Sequence, residues 1–186
     1  MINRIMRVIR LDPTVFREVA EDQSSMTQAA IIVVVVSLMS AIGGFIKVLM
    51  AGDGFGSAMV GFLMQLIVFS ILIGWIGWSV ITYFVGTTLF KGTTDIREMM
   101  RVLGFANAPN LLGIFSFIPC VGWLISLAGA ILSLIAGVIA IREAMDFDTT
   151  KAIITVVIGW IVSLVLSLVV GAIFGLGTAG ISALGG

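Results

Sequence analysis

The fold class predicted from the sequence is an all-α polytopic membrane bundle of five transmembrane helices, preceded by a short amphipathic helical segment. Three observations lead there. The 186 residues are 60% hydrophobic and 11% charged, with a mean hydropathy of +1.22, whereas a soluble domain is nearer half apolar and a quarter charged. The apolar residues are gathered into long blocks free of charge, which is the pattern of membrane spans and not of a soluble core. The basic residues are confined almost entirely to three of the polar segments that flank those blocks.

Residues 1–28 are the long polar stretch. Arg4, Arg7 and Arg10 recur every third residue and share one helical face, while Ile2, Ile5, Met6 and Ile9 fall mostly on the other. A short basic helix on an anionic membrane surface is expected, with these arginines as its contacts. Asp12-Pro13 then reads as a stop and a new start, Asp12 as N-cap and Pro13 at the first helical position. Val15, Phe16, Val19 and Ala20 give the second short helix an apolar stripe, and Ser25-Met26-Thr27-Gln28 fits a capping box. Behind four acidic residues, the first apolar block is too long for the core of a cleavable signal peptide and is expected to remain as an anchor.

The first span is expected at 29–50, followed by a glycine-rich turn at Gly52-Asp53-Gly54-Phe55-Gly56. The uncharged block 58–90 is longer than one perpendicular crossing needs, so it must tilt, kink near Gly74 and Gly77, or begin with an interfacial turn. Thr94 or Asp95 caps a helix leading to the third span, 99–118. Pro109 disfavours regular helix there, and Asn107 and Asn110 bring amides to membrane depth. Pro119 and Gly122 form a tight turn into the fourth span, 123–141; Asp148-Thr149-Thr150 caps the fifth, 152–174. The chain thus divides into a cytoplasmic segment 1–28, a membrane domain 29–174 and a glycine-rich external tail 175–186 that frays.

Orientation follows from Lys and Arg close to the spans. Arg4, Arg7, Arg10 and Arg17 precede span one; Lys91, Arg97 and Arg101 follow span two; Arg142 and Lys151 follow span four. With five crossings and a cytoplasmic N-terminus, Lys47 alone among the ten basic residues lies on the other side. If 99–118 does not cross, Arg142 and Lys151 join it. The charges therefore favour five spans in a cell membrane, with an external C-terminus.

The chain has no histidine and one cysteine, Cys120, which removes histidine-based metal sites, cysteine clusters, disulfides within the chain and Ser-His or Cys-His catalysis. No acidic residue lies within an apolar block, which argues against a proton-coupled carrier. No catalytic, metal or cofactor-binding residues are expected, and the zero net charge points to no nucleic acid. Lys47 is expected to snorkel to the interface. Gln65, Asn107 and Asn110 are expected to hydrogen-bond between helices, and Trp75 and Trp78 to pack. Gly171 and Gly175 have the small-residue spacing of close helix approach, as have Gly129, Ala130, Ser133 and Gly137; both faces suit packing within one bundle or a homo-oligomer.

Three stretches carry a resemblance. Leu11-Asp12-Pro13-Thr14-Val15-Phe16-Arg17-Glu18, the run Arg101–Pro109 with Gly104, Phe105 and Pro109, and Thr150-Lys151-Ala152-Ile153 are together similar to elements of the Yip-one domain family, small five-span proteins related to the Rab-interacting membrane proteins of the eukaryotic secretory pathway. The long N-terminal region of eukaryotic members, with its Asp-Leu-Tyr-Gly-Pro element, has no counterpart here. The resemblance therefore implies a prokaryotic-type member and puts Rab-type GTPase binding in doubt. With the absent catalytic groups and the small-residue helix faces, the resemblance points to a non-enzymatic scaffold or adaptor that sits in the lipid bilayer and binds other membrane proteins or organises the membrane. A small transporter or channel subunit acting as an oligomer is the alternative, drawn from the helix-break element Gly104, Phe105, Asn107, Pro109 and Asn110.

Overall fold

The computed structural model describes the backbone of residues 1–117 and 122–184 and the side chains of 1–112 and 122–173. Helix α1 (Ile2–Ile9) ends where Leu11 turns left-handed, with φ 58°. Asp12 then caps α2 (Pro13–Glu21), its Oδ1 accepting the Thr14 backbone N–H at 3.0 Å, with Pro13 in the first turn as expected. All four residues of the predicted stripe, Val15, Phe16, Val19 and Ala20, are buried. The capping box ahead of α3 (Ser25–Ala51) does not form. The link is so short that Asp22 takes the Ser24 backbone N–H and hydroxyl, while the Ser25 hydroxyl turns back to the Val19 and Asp22 carbonyls at 3.0 and 2.6 Å.

The predicted glycine turn shrinks to two residues: Gly52 and Gly54 have φ of 85° and 83°, and a new helix begins at Gly54. That helix runs unbroken from Gly54 to Phe90, 37 residues. As α-helix this would extend about 55 Å, against ~30 Å of hydrocarbon. Within it the winding changes: α4 (Gly54–Leu63) passes into a π-helical stretch (Met64–Gly77) and then α5 (Trp78–Phe90). A Cβ at Gly74 would lie 2.9 Å from the Phe69 carbonyl oxygen, and one at Gly77 3.1 Å from that of Leu72. Each glycine thus makes room for the carbonyl five residues earlier, the π-helical spacing.

The third predicted span is not one helix. Asp95 caps α6 (Ile96–Ala106) through a 2.6 Å bond from Glu98 N–H; beyond Asn107 the chain continues as a 3₁₀ helix, Ala108–Phe117. Pro109 accounts for the change, since it has no N–H and clashes with a continuing α-turn. Among the described residues four helices are long and apolar enough to cross a membrane: Ser25–Ala51, Gly54–Phe90, α7 (Gly122–Met145) and the Thr149–Ile173 part of α8. Asp148 caps α8 (Thr149–Leu184) by accepting Lys151 N–H at 2.8 Å, and the helix continues past Gly175, where the sequence points to a fraying tail. The predicted turn at Pro119 and the lone Cys120 lie outside the described residues.

The α5–α6 and α7–α8 junctions and the helix pair α1–α2 meet at one end of the bundle. Arg17 bonds Asp146 at 2.9 Å and approaches Glu143 at 3.4 Å, and the Phe90 and Phe147 rings meet edge-on with centroids 5.9 Å apart. Along the sides, Leu, Ile, Val and Phe side chains point outward from all four long helices. In a bilayer this is the favourable arrangement, because lipid tails are as apolar as the side chains they meet.

Candidate functional site: a polar cavity beside a broken helix

Pro109 is fully buried, and its missing N–H has a local consequence. The donors at the end of α6 go to the Gly104 and Phe105 carbonyls, and Asn110 N–H bonds the Asn107 carbonyl at 3.0 Å. The Ala106 carbonyl is left without its helical partner. Ser133 of α7 supplies one, donating its hydroxyl at 2.7 Å. Asn110 Nδ2 in turn donates to Ser133 Oγ at 3.0 Å and to Asn107 Oδ1 at 3.3 Å, and Asn107 Nδ2 donates to the Leu103 carbonyl at 3.1 Å. The break is thus a closed polar network tied to the neighbouring helix.

Close backbone contacts hold it in place. A Cβ on Gly104 would come within 2.7 Å of Ala29 Cβ and 3.2 Å of Trp75 Nε1; one on Gly129 would lie 2.9 Å from the Pro109 carbonyl oxygen. Trp75 packs as expected and bonds the Met100 carbonyl at 2.9 Å, while Phe105 is fully buried. Gln65 reaches only Ser70 on its own helix, at 3.4 Å, so its expected bond between helices is not seen.

The two asparagines form a partition between two cavities. The larger, about 480 Å³, extends along α3 from Val33 past Ser37 and Ser40 to Lys47 and is lined elsewhere by Ser70 and Gly74, by Asn107 and Asn110, and by Ser126. The smaller, about 220 Å³, lies between Asn107, Asn110, Ser133, Trp78 and Leu103. A roomy cavity with several polar groups holds water in preference to vacuum. Its walls offer hydroxyls, amides and one ammonium, and none of the described lining residues is acidic.

Of the sequence-flagged residues, Gly104, Phe105, Asn107, Pro109 and Asn110 come together at this break. Gly171 does not join a contact, since nothing lies within 4 Å of a Cβ built there, and Gly175 lies beyond the described side chains. Among the described glycines of α8 the close one is Gly159, whose Cβ would meet Thr82 Cγ2 at 3.0 Å. Arg4 and Arg7 face α2: Arg4 bonds Glu18 and Asp22, both at 2.8 Å, and Arg7 bonds Asp12 at 2.9 Å and Glu18 at 2.6 Å. Arg10 remains exposed. The Thr14 hydroxyl and then Arg7 hold the Asp12 carboxyl at about 2; Arg7 and Arg4 lower Glu18, and Ser24 and Arg4 lower Asp22. A further anchor went unread in the sequence. Arg101, 7% exposed, donates to the Val19 carbonyl at 3.3 Å and to that of Ala20, so its charge sits at the carbonyl end of α2.

The Yip1 domain model matches residues 6–177. The chain belongs to the Yip1 domain family. All three stretches that carried the resemblance lie inside the match, and so do the helix break and both cavities. No curated protein and no solved structure matches the chain. This Yip1 domain is a helical membrane protein, and the break at Pro109 with its adjoining cavity is a polar feature of its interior.

Proposed function

We propose that this Yip1-domain protein is a non-enzymatic scaffold or adaptor that binds other membrane proteins. The observation that carries the reading is the docked helix pair α1–α2. Arg101 and Arg17 tie α2 to the membrane helices, and Arg4 and Arg7 tie α1 to α2. The result is a preorganised surface that loses little freedom on meeting a partner, with Arg10 polar and Ile2 and Met6 apolar at its exposed edge. Affinity capture of the full chain from mild detergent is expected to return a reproducible membrane partner, lost on Arg101→Leu. Recovery of the chain alone, with an unchanged membrane proteome on its deletion, would count against the reading.

Five crossings in a cell membrane, with the N-terminus cytoplasmic and the C-terminus external, remain part of the proposal. Support comes from length: the five α6 residues beyond Arg101, Val102–Ala106, and the ten of the 3₁₀ helix together extend about 28 Å, close to the ~30 Å hydrocarbon core. A C-terminal alkaline phosphatase fusion should be active and a C-terminal GFP fusion dark; the reverse pair refutes this topology. The polar cavity favours a second reading, a small transporter or channel subunit acting as an oligomer. Solute flux in proteoliposomes separates the two, because an adaptor alone produces none.

A further inference from the structure

The described hydroxyls inside this bundle do not all meet the same kind of partner. Those of Ser79, Thr82, Thr87, Ser126 and Thr155 each donate to a carbonyl four residues back on their own helix, at 2.7–2.9 Å. Ser37 is only 3% exposed, lines the larger cavity and has no hydrogen-bond partner among the described residues. Ser40 lines the same wall, and Lys47 stands at its end with no ion-pair partner among the described residues. Among the described residues the enclosed side-chain polar atoms without a partner are Gln28 Oε1 and Ser163 Oγ; the Ser37 oxygen is not one of them, so it opens onto the cavity and is free to bond what enters there.

Ser37, Ser40, Gly44 and Lys47 are spaced three, four and three apart, so they share one face of α3. Lys47 and Ser40 both line the cavity, with Gly43 and Gly44 between them. No atom lies within 4 Å of a Cβ built on either glycine, so the wall is open at that level. The charge balance of the described lining is one cation and no carboxylate, which suits an anion. Ser37, Asn107 and Asn110, further in, are neutral donors and acceptors that suit hydroxyl groups. Beside this face Leu38, Ile42 and Ile46 are exposed and apolar, a surface for acyl chains.

We propose that this cavity binds a phosphoester of a hydroxylated group, its phosphate between Lys47 and Ser40 and its hydroxyls toward Ser37, Asn107 and Asn110. The phosphoester is either the headgroup of a phospholipid such as phosphatidylglycerol or a soluble one such as glycerol 3-phosphate. At 480 Å³ the cavity falls within the usual range for small-molecule sites, about 300–1,000 Å³. The proposal does not depend on the adaptor reading, since binding is measured on the isolated chain.

The test uses the full chain purified in detergent micelles, with binding read by native mass spectrometry and by thermal shift. Phosphatidylglycerol, phosphatidylcholine and glycerol 3-phosphate are titrated separately. Saturable phosphatidylglycerol binding that exceeds phosphatidylcholine and resists glycerol 3-phosphate assigns the site to lipid. Glycerol 3-phosphate binding in lipid-free micelles assigns it to a soluble ligand. In either case Lys47→Gln should weaken binding about tenfold or more and Ser37→Ala about threefold to tenfold, with the unliganded melting temperature unchanged. The proposal is overturned if no phosphoester saturates, or if both variants bind as the parent chain does. Lys47 is exposed, so its variant reports on binding even if Ser37→Ala folds poorly.

Discussion

Ser25 and Ser37 lie on the same helix and are equally buried, yet their surroundings differ in kind. Ser25 is in the α1–α2 end of the bundle, where its hydroxyl meets the Val19 and Asp22 carbonyls, Arg101 meets those of Val19 and Ala20, and three arginines meet carboxylates. Ser37 faces the cavity and meets none of the described groups. Polar residues at the first end hold elements together; the same residue type three turns further on is left available. The difference lies in what each serine faces: α2, packed on α6 and α7, offers the carbonyls of its last turn as partners, whereas the wall opposite Ser37 is cavity.

The contrast is broken most severely at Arg101. Arg101→Leu leaves the Val19 and Ala20 carbonyls without their donor and should cost about 3 kcal/mol, read as lowered stability in micelles and new proteolysis at the 22–24 link. Gly104→Val forces a side chain into Ala29 and Trp75 and should cost about 1–3 kcal/mol by overpacking. The serines give the sharpest comparison. Ser25→Ala and Ser133→Ala each remove a made bond and should cost about 1–2 kcal/mol, whereas Ser37→Ala should stay within about 0.5 kcal/mol. Equal losses at Ser25 and Ser37 would erase the distinction.

The smallest effect is one of pH. Asp12, Glu18 and Asp22 are held below their ordinary values, so the folded helix pair binds fewer protons than the unfolded one. Its stabilisation is full above the ordinary carboxylate range, near pH 4, and is lost as pH falls toward the value of about 2 at Asp12. Protease susceptibility of residues 1–24 should rise across that window, and Asp12→Asn should flatten the rise.

Much of the frame was legible in the sequence. Asp12, Asp95 and Asp148 announced their caps, and the charge-free blocks announced the long helices, because capping and hydropathy are local. The π winding of Met64–Gly77 was not legible: its side chains are uniformly apolar, and only Gly74 and Gly77 mark where carbonyls crowd. Pro109 signalled a break but not its form, which depends on Ser133, 24 residues further on. Arg101 could not be matched to its partners, since these are backbone carbonyls about 80 residues earlier and carry no side-chain signal. Half of the candidate site, Asn107 and Asn110, was readable as amides at membrane depth. The other half was present as the regular spacing of Ser37, Ser40, Gly44 and Lys47, which marks a polar face only once the opposite wall is known.

Labelling of introduced cysteines by a membrane-impermeant maleimide tests the central contrast most directly, because the reagent reacts only with thiols that water reaches. In a Cys120→Ser background, Ser37→Cys and Ser40→Cys should label in intact detergent-solubilised protein, and Ser25→Cys should label only after unfolding. Labelling at Ser25→Cys together with silence at Ser37→Cys and Ser40→Cys would contradict the account.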